Sequence, residues 1–260
     1  MTFDWLNAAL LGLIEGVTEF LPISSTGHLL LAEHWLPAES DLFNTVIQSG
    51  AALAIALVFI DRLKQICLRW REPESRDYGL KLAGAFVVTG VGGVMLKLLK
   101  FELPESTTPV ATALIVGGVL FLLVEKWIRT RQFDHVVTWR IAFAVGAAQL
   151  VAAIFPGASR SGATILVALA LGLDRKSATE FSFLLGIPTL FAAAGLQIAE
   201  AIHHRELGSI HWPSLVVATL VSAVTAFVVV NWLLKYIQTH TFVGFAWYRI
   251  ALGAVVLLLA

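Results

Sequence analysis

Apolar residues in this chain run in long unbroken blocks, without the strict alternation of a half-buried strand or the narrow stripe of a surface helix. Six blocks approach or reach the roughly 20 residues a membrane-crossing helix needs: Phe43 to Ile60, Tyr78 to Leu96, Pro109 to Glu125, Phe181 to Ala199, Ser214 to Leu234 and Phe242 to Ala260. Each is read as a full span. Two further regions, 3–36 and 139–172, are longer than one span but are broken near the middle by Pro22 and by Pro156-Gly157. Their second limbs, such as His28 to Leu36, are too short to cross about 30 Å at about 1.5 Å per residue. These regions are therefore read as re-entrant helical hairpins, whose broken backbone must be sheltered by protein or water.

The chain also resembles itself. Gly12, Glu15, Leu21 and Pro22 precede Gly146, Gln149, Phe155 and Pro156 by 134 positions, and a serine-rich turn follows each proline. One hairpin and three spans per half give an odd number of crossings, so the second half should run inverted relative to the first. The expectation is a single all-α polytopic membrane domain over 1–260, with six transmembrane helices and two re-entrant hairpins. The first repeat covers 1–132 and the second 133–260.

Charge gives this layout a direction. The segments holding Arg62, Lys64, Arg69, Arg71, Arg76, Lys81, Lys126, Arg129, Arg131, Arg140, Arg175, Lys176 and Lys235 carry 13 of the 18 basic residues, and the positive-inside rule puts them on the cytoplasmic side. Both termini then point outward, and the first hairpin enters from the outer face. The first ten residues contain Asp4 and no Lys or Arg, unlike the basic start of a signal peptide.

Composition agrees: 58% of residues are hydrophobic and 14% charged, a surplus of apolar surface that has to face lipid. A formal net charge of zero argues against a nucleic-acid partner. Cys67 is the single cysteine, so no internal disulfide can brace the fold.

The candidate chemistry sits at the two breaks. Glu15 and Glu19 are four residues apart, which sets both carboxylates on one helix face in an otherwise apolar stretch. Burying each costs several kcal/mol, by order of magnitude, unless it is paired or protonated, so cation coordination or proton exchange is the expected use. The following turn, Pro22-Ile23-Ser24-Ser25-Thr26-Gly27-His28, places three hydroxyls where a second helix begins. Hydroxyls cap helices, but a helix N-terminus is also an anion site, and His28 can act as acid or base near neutral pH.

The second break, Pro156-Gly157-Ala158-Ser159-Arg160-Ser161-Gly162-Ala163-Thr164, supplies a guanidinium at membrane depth. Arg160 needs anionic partners there. Its planar fork suits phosphate oxygens, and a permanent ion pair with Glu15 or Glu19 is the structural alternative. Arg249, near Trp247 and Tyr248 in the last span, is read as snorkelling or structurally paired. Asn44, Gln48, Ser49, Glu180, Ser182 and Pro188 could line a cavity. The Gly90 to Gly93 and Gly117-Gly118 clusters read as close helix contacts.

The segments Glu15-Gly16-Val17-Thr18-Glu19-Phe20-Leu21-Pro22-Ile23-Ser24-Ser25-Thr26-Gly27-His28 and Pro156 to Thr164 strongly resemble the undecaprenyl-diphosphate phosphatase family linked to bacitracin resistance. Glu180-Phe181-Ser182-Phe183-Leu184-Leu185 and Tyr248-Arg249 add to the likeness. The resemblance implies hydrolysis of a polyprenyl diphosphate lipid, undecaprenyl diphosphate, to its monophosphate and inorganic phosphate in a bacterial plasma membrane, recycling the carrier for cell-wall synthesis. It implies a divalent cation, magnesium or calcium, held by Glu15 and Glu19. Ser25 is then the candidate nucleophile, with His28 or Glu19 as base, and water remains the other candidate. Arg160 is catalytic and, with Ser24, Thr26, Gly27, Ser159, Ser161, Gly162 and Thr164, holds phosphate. The rival reading is a transporter or flippase for a phosphorylated polyprenyl lipid, since inverted repeats with broken helices also build carriers. Pairing as a homodimer is left open by the residues.

Overall fold

In the computed structural model, which describes residues 2–32, 35–101, 107–130, 133–205 and 211–259, regular structure is helical apart from one isolated bridge between Asp134 and Leu173. The helices are α1 (Thr2–Thr18), α2 (Ser25–Ala32), α3 (Asp41–Val58), α4 (Ile60–Leu68), α5 (Pro73–Leu98), α6 (Thr107–Ile128), α7 (Trp139–Ile154), α8 (Arg160–Ala170), α9 (Arg175–His203), α10 (Trp212–Tyr236) and α11 (Val243–Leu259). Five of them, α3, α5, α6, α9 and α10, are long and apolar enough to cross a membrane. The sixth expected span coincides with α11, whose 17 residues reach about 26 Å at about 1.5 Å each. Part of the first hairpin region (33–34) and Ala260 lie outside the described residues.

Local chemistry sets the helix starts. Ser40 Oγ accepts from Phe43 N to open α3, Thr138 Oγ1 accepts from Ile141 N to open α7, and Pro73 occupies the first turn of α5. Asp174 accepts from the backbone N–H groups of Lys176 and Ser177 to open α9. Partial burial pushes the Asp174 carboxyl up, but its hydrogen bonds to Ser177 and the neighbouring His135 outweigh this and hold it below the usual carboxylate range. The basic segment from Arg62 to Arg76, expected as a loop, is partly helical: α4 occupies it, and α5 starts at Pro73. Arg175 is likewise no free loop charge, since it pairs with buried Glu125 of α6, which also accepts from Phe242 N ahead of α11.

Small residues let the broken hairpins pack tightly. α1 lies along α10, and α7 lies along α5. A Cβ on Gly12 would strike the Ala218 carbonyl, and one on Gly146 would strike the Ala85 carbonyl, so each first limb touches backbone through its glycine. The second limbs are short, 8 residues in α2 and 11 in α8. α6 and α11 pack on each other, and both contact α2.

Only one side of the long helices is buried. Val87, Val91 and Val94 of α5 and Leu220, Val224 and Val228 of α10 stand exposed on continuous apolar faces. Such faces are far larger than water-soluble monomers tolerate and suit the hydrocarbon of a bilayer. The chain is a multi-pass membrane protein on that ground.

Candidate active site

α1 ends at Thr18, ahead of Pro22, but Glu19 N still donates to Glu15 O at 2.9 Å, so the two carboxylates keep the one-turn spacing expected of them. Glu15 is fully buried and Glu19 nearly so. The chain then turns, and Ser24 adopts a left-handed conformation at φ 70 before α2 begins at Ser25. The second break repeats the device: Ser159 has φ 67 and α8 begins at Arg160. Each serine also caps its helix, Ser24 Oγ accepting from Gly27 N at 3.4 Å and Ser159 Oγ from Gly162 N at 3.1 Å. A left-handed non-glycine residue costs about 1–3 kcal/mol, so two matched ones mark a backbone held by its surroundings. Ser25 and Arg160 thereby become the first residues of two short helices whose positive ends meet.

Those two residues converge on one carboxylate. Ser25 Oγ donates to Glu19 Oε2 at 2.8 Å, and Arg160 Nη2 donates to Glu19 Oε1 at 2.9 Å. The Arg160 guanidinium lies over the Phe20 ring at 4.9 Å, and Gly186 of α9 leaves it room, since a Cβ there would meet Nη1. Its Nε and Nη1 are buried without an acceptor. Both Glu15 oxygens are buried without a hydrogen-bond partner as well. The ion pair with Glu19 and the free donors coexist, so the pair is no complete use of the guanidinium.

Beside this cluster lies a cavity of about 540 Å³, walled by Glu19, Ser24, Ser25, Thr26, Ser159 and Arg160 together with Gln48, Thr89, Gln149 and Thr189. Its apolar side is built by Gly90, Gly93 and Val94 of α5 and Ala192, Ala193 and Leu196 of α9. Of the Gly90 to Gly93 cluster, read from the sequence as helix contacts, Gly92 does pack closely, against Leu150 of α7, whereas Gly90 and Gly93 have nothing within 4 Å where a Cβ would stand. Gly117 and Gly118 do serve close packing, against Arg249 and Ala246. Lys97 also borders the cavity and pairs with Glu200.

Several expected site residues have other employment. His28 does not reach Ser25: its Nδ1 donates to Ser24 O at 2.7 Å, which leaves Nε2 to accept from the Tyr248 hydroxyl at 2.7 Å. The hydroxyls of Ser161 and Thr164 face backbone carbonyls, Ser161 those of Glu19 and Leu21 and Thr164 those of Arg160 and Ser161. Gly27 and Gly162 are tight spots, against Leu114 and against Arg249 with Ser159. Gln48 lines the cavity as expected. Glu180 belongs elsewhere, paired with Arg62 at 3.0 Å in a second cavity of about 360 Å³ near Tyr78, His135, Asp174 and Lys176.

The largest correction concerns Arg249, which neither snorkels nor pairs with an acid. It is fully buried and donates to the carbonyls of Pro22 at 3.1 Å, Gly157 at 3.2 Å, Ala158 at 3.0 Å, and Ala113 and Leu114 at 3.3 Å. One side chain thus ties both hairpin turns to α6. An arginine so near the end of the chain reads as interfacial unless the partners of its helix are known, which is why the pattern of residues missed it.

A divalent cation can be tested against these donors. Among the described residues no cluster of three or more His, Cys, Asp or Glu is present. Glu15, with two buried and unused oxygens, and Glu19 still fit the way magnesium is held, by one or two carboxylates together with substrate phosphate oxygens.

The chain is similar to known proteins over nearly its whole length. A family model described as "Bacitracin resistance protein BacA" matches residues 8–255. A protein named "Undecaprenyl-diphosphatase" from Rhizobium etli is 51% identical over 256 residues, covering 98% of this chain and 96% of its own length. Proteins of the same name from Xanthomonas oryzae pv. oryzae and Xylella fastidiosa are 50% and 48% identical, each over 98% of this chain and 97% and 98% of their own lengths. The chain belongs to the bacitracin resistance protein BacA family.

Proposed function

We propose that this protein hydrolyses undecaprenyl diphosphate to undecaprenyl phosphate and inorganic phosphate, which recycles the carrier lipid and gives bacitracin resistance. The observation that carries the reading is the Ser25–Glu19–Arg160 chain, in which a nucleophile, a base and a phosphate-binding cation from two hairpins share one cavity wall. Diphosphate hydrolysis is mainly positioning and charge neutralisation around an in-line transfer. Arg160 binds terminal phosphate oxygens through donors that Glu19 leaves free, and the first turns of α2 and α8 add their partial positive charge. Glu19, already hydrogen-bonded to Ser25, takes the Ser25 proton as Oγ attacks the terminal phosphorus. The bond to the bridging oxygen breaks, its electrons leave on the lipid monophosphate, which takes the proton from Glu19, and water then displaces Ser25 Oγ from the seryl phosphate to give inorganic phosphate. Glu15 and Glu19 would hold the divalent cation, magnesium or calcium, which when bound offsets charge on the phosphates. His28, held between Ser24 and Tyr248, positions the turn in this scheme and is no base toward Ser25.

The apolar wall formed by α5 and α9 takes the first isoprenoid units while the remaining tail stays in lipid. Six crossings with two re-entrant hairpins, in halves 1–132 and 133–260 of inverted topology, fit the exchanged packing of α1 on α10 and α7 on α5 and the paired left-handed serines. The basic segments then face the cytoplasm, and the site opens to the outer face of the bacterial plasma membrane.

Purified protein in detergent, with no gradient present, should release inorganic phosphate from undecaprenyl diphosphate, whereas a carrier of the same fold would bind the lipid and return it intact. No release at any divalent-cation concentration would overturn the reading. Orientation has its own test: Cys67 is exposed on α4, so a membrane-impermeant thiol reagent should label it only after the membrane is opened.

A further inference from the structure

Gln149, on the first limb of the second hairpin, is the repeat counterpart of Glu15 and is buried beside the cavity. Its amide is oriented by the hydrogen bonds of its neighbours. Nε2 lies 2.8 Å from Thr89 Oγ1 and 3.2 Å from Thr189 Oγ1. Each of those hydroxyls has one proton, and each has a carbonyl to receive it: Gly146 O at 2.9 Å or Ala85 O at 3.1 Å for Thr89, and Leu185 O at 2.8 Å for Thr189. The threonine oxygens therefore act as acceptors toward Gln149, and the amide must present its two N–H groups to them. Turning it over would require both threonine hydroxyls to leave their carbonyls and donate to the amide oxygen instead.

That arrangement fixes Oε1 on the opposite side, and it is buried with no donor. A buried acceptor left without a donor costs about 1–3 kcal/mol, so its natural complement is a donor held in the cavity. An ionised diphosphate cannot supply one, because its oxygens accept only. The Ser25 hydroxyl is committed to Glu19, the Arg160 Nη2 donor to the same carboxylate, and the Lys97 ammonium to Glu200, while the free Nε and Nη1 donors of Arg160 go to the phosphate oxygens. Water is a donor that the reaction itself brings to the cavity, since hydrolysis consumes one molecule of it by either route.

We propose that Gln149 Oε1 holds the hydrolytic water, accepting one of its protons so that a lone pair of the water oxygen faces phosphorus. This rests on the phosphatase reading and deepens it. The water oxygen bonds to phosphorus, the bond from phosphorus to the leaving oxygen breaks with its electron pair staying on that oxygen, and the second water proton passes to the Glu19 carboxylate. The leaving oxygen is the bridging oxygen when water attacks directly. When water clears a seryl phosphate, Glu19 has already passed the Ser25 proton to the departing lipid monophosphate, and it returns the proton taken from water to Ser25 Oγ as that oxygen leaves. The role is the one a positioned glutamine plays for attacking water in nucleotide hydrolysis.

The test is competition between water and methanol for the phosphoryl group, read as the ratio of methyl phosphate to inorganic phosphate formed by the full-length protein in detergent. Gln149→Met removes the acceptor at similar volume. It is expected to lower kcat by about 10²-fold, the scale of a misplaced reactant, to leave KM for undecaprenyl diphosphate unchanged, and to raise the methyl phosphate share severalfold. Gln149→Glu keeps an oxygen at the position, and its threonines can turn to donate, so it is expected to keep the wild-type product ratio at whatever rate it works. A higher KM with unchanged kcat in Gln149→Met would assign the oxygen to the substrate head group and overturn the proposal. A lower kcat with an unchanged product ratio would do so too, by making the residue structural. If Gln149→Met does not fold, a raised methyl phosphate share in Gln149→Glu is the result that overturns it. Wild-type protein that releases no phosphate would instead remove the phosphatase reading itself.

Discussion

Arg160 and Arg249 both reach the tips of the broken hairpins, and they are wired in opposite ways. Arg160 makes one hydrogen bond to a carboxylate, stacks on Phe20 and keeps Nε and Nη1 unspent. Arg249 has no carboxylate among its hydrogen-bond partners and donates only to backbone carbonyls, from both turns and from α6. A guanidinium at this depth stays charged, so its hydrogen-bond pattern reveals what it is for. Spare donors beside a cavity belong to a group that meets an anion. Donors spread over five carbonyls belong to a group that fixes backbone.

Replacing each arginine by lysine should separate these uses most strongly. Arg160→Lys keeps the charge and loses the planar fork, and phosphate release should fall by about 10²-fold or more with little change in melting temperature. Arg249→Lys has three donors for five carbonyls and loses at least two hydrogen bonds, roughly 2–4 kcal/mol at about 1–2 kcal/mol per lost bond, which a thermal melt in detergent would register as a clear drop in Tm. Activity per folded molecule should suffer less than in Arg160→Lys. A fully active Arg160→Lys enzyme would end the case for a phosphate fork, and an Arg249→Lys protein of unchanged Tm but lost activity would move Arg249 to the substrate.

The same contrast shows what one sequence can carry. Pro22 and Pro156 mark the breaks, and Glu15, Glu19, Ser25 and Arg160 stand out because charged and hydroxyl groups are costly in apolar stretches. Their convergence is another matter: Arg160 lies 141 positions from Glu19, and only the meeting of the two turns brings them to 2.9 Å. Hydroxyl-rich turns look like phosphate cradles in sequence, yet Ser161 and Thr164 spend their protons on backbone. That choice depends on side-chain rotamers and on which carbonyls a neighbouring segment presents, neither of which is written locally. The backbone-tying role of Arg249, read instead as snorkelling or pairing, and the clearance at Gly186 were invisible for the same reason, since each acts through a partner on a distant helix.

The acids offer a milder version of the comparison, because Glu19 is fully engaged and Glu15 is not. Glu15→Gln removes the ability to ionise at a buried position that lacks a hydrogen-bond partner, so the protein without divalent cation should be at least as stable. If those free oxygens serve a cation, the same variant should need about tenfold more magnesium to reach half its activity. Stability that rises while the cation midpoint stays fixed would leave Glu15 without a ligand role and would place the cation, if one is used, on Glu19 and the substrate alone.

The finest test uses the glycines that make room for each guanidinium. A Cβ on Gly186 would meet Nη1 of Arg160, the unspent end of a side chain anchored only at Nη2, so the group can swing aside. A Cβ on Gly117 would meet Nη2 of Arg249, which is held by the carbonyls of Ala113, Gly157 and Ala158 and has nowhere to go. Alanine is favoured over glycine inside a helix by about 1 kcal/mol, and both positions are helical, so propensity alone would make both variants slightly more stable. Gly186→Ala should therefore keep or gain Tm while losing about tenfold in phosphate release, because the donors are displaced from the line of transfer. Gly117→Ala should lose Tm despite the helix gain, because the clamp on both turns must open. Equal effects of the two substitutions on both measurements would mean that the guanidinium groups share one structural task, and the division drawn from their hydrogen bonds would be wrong.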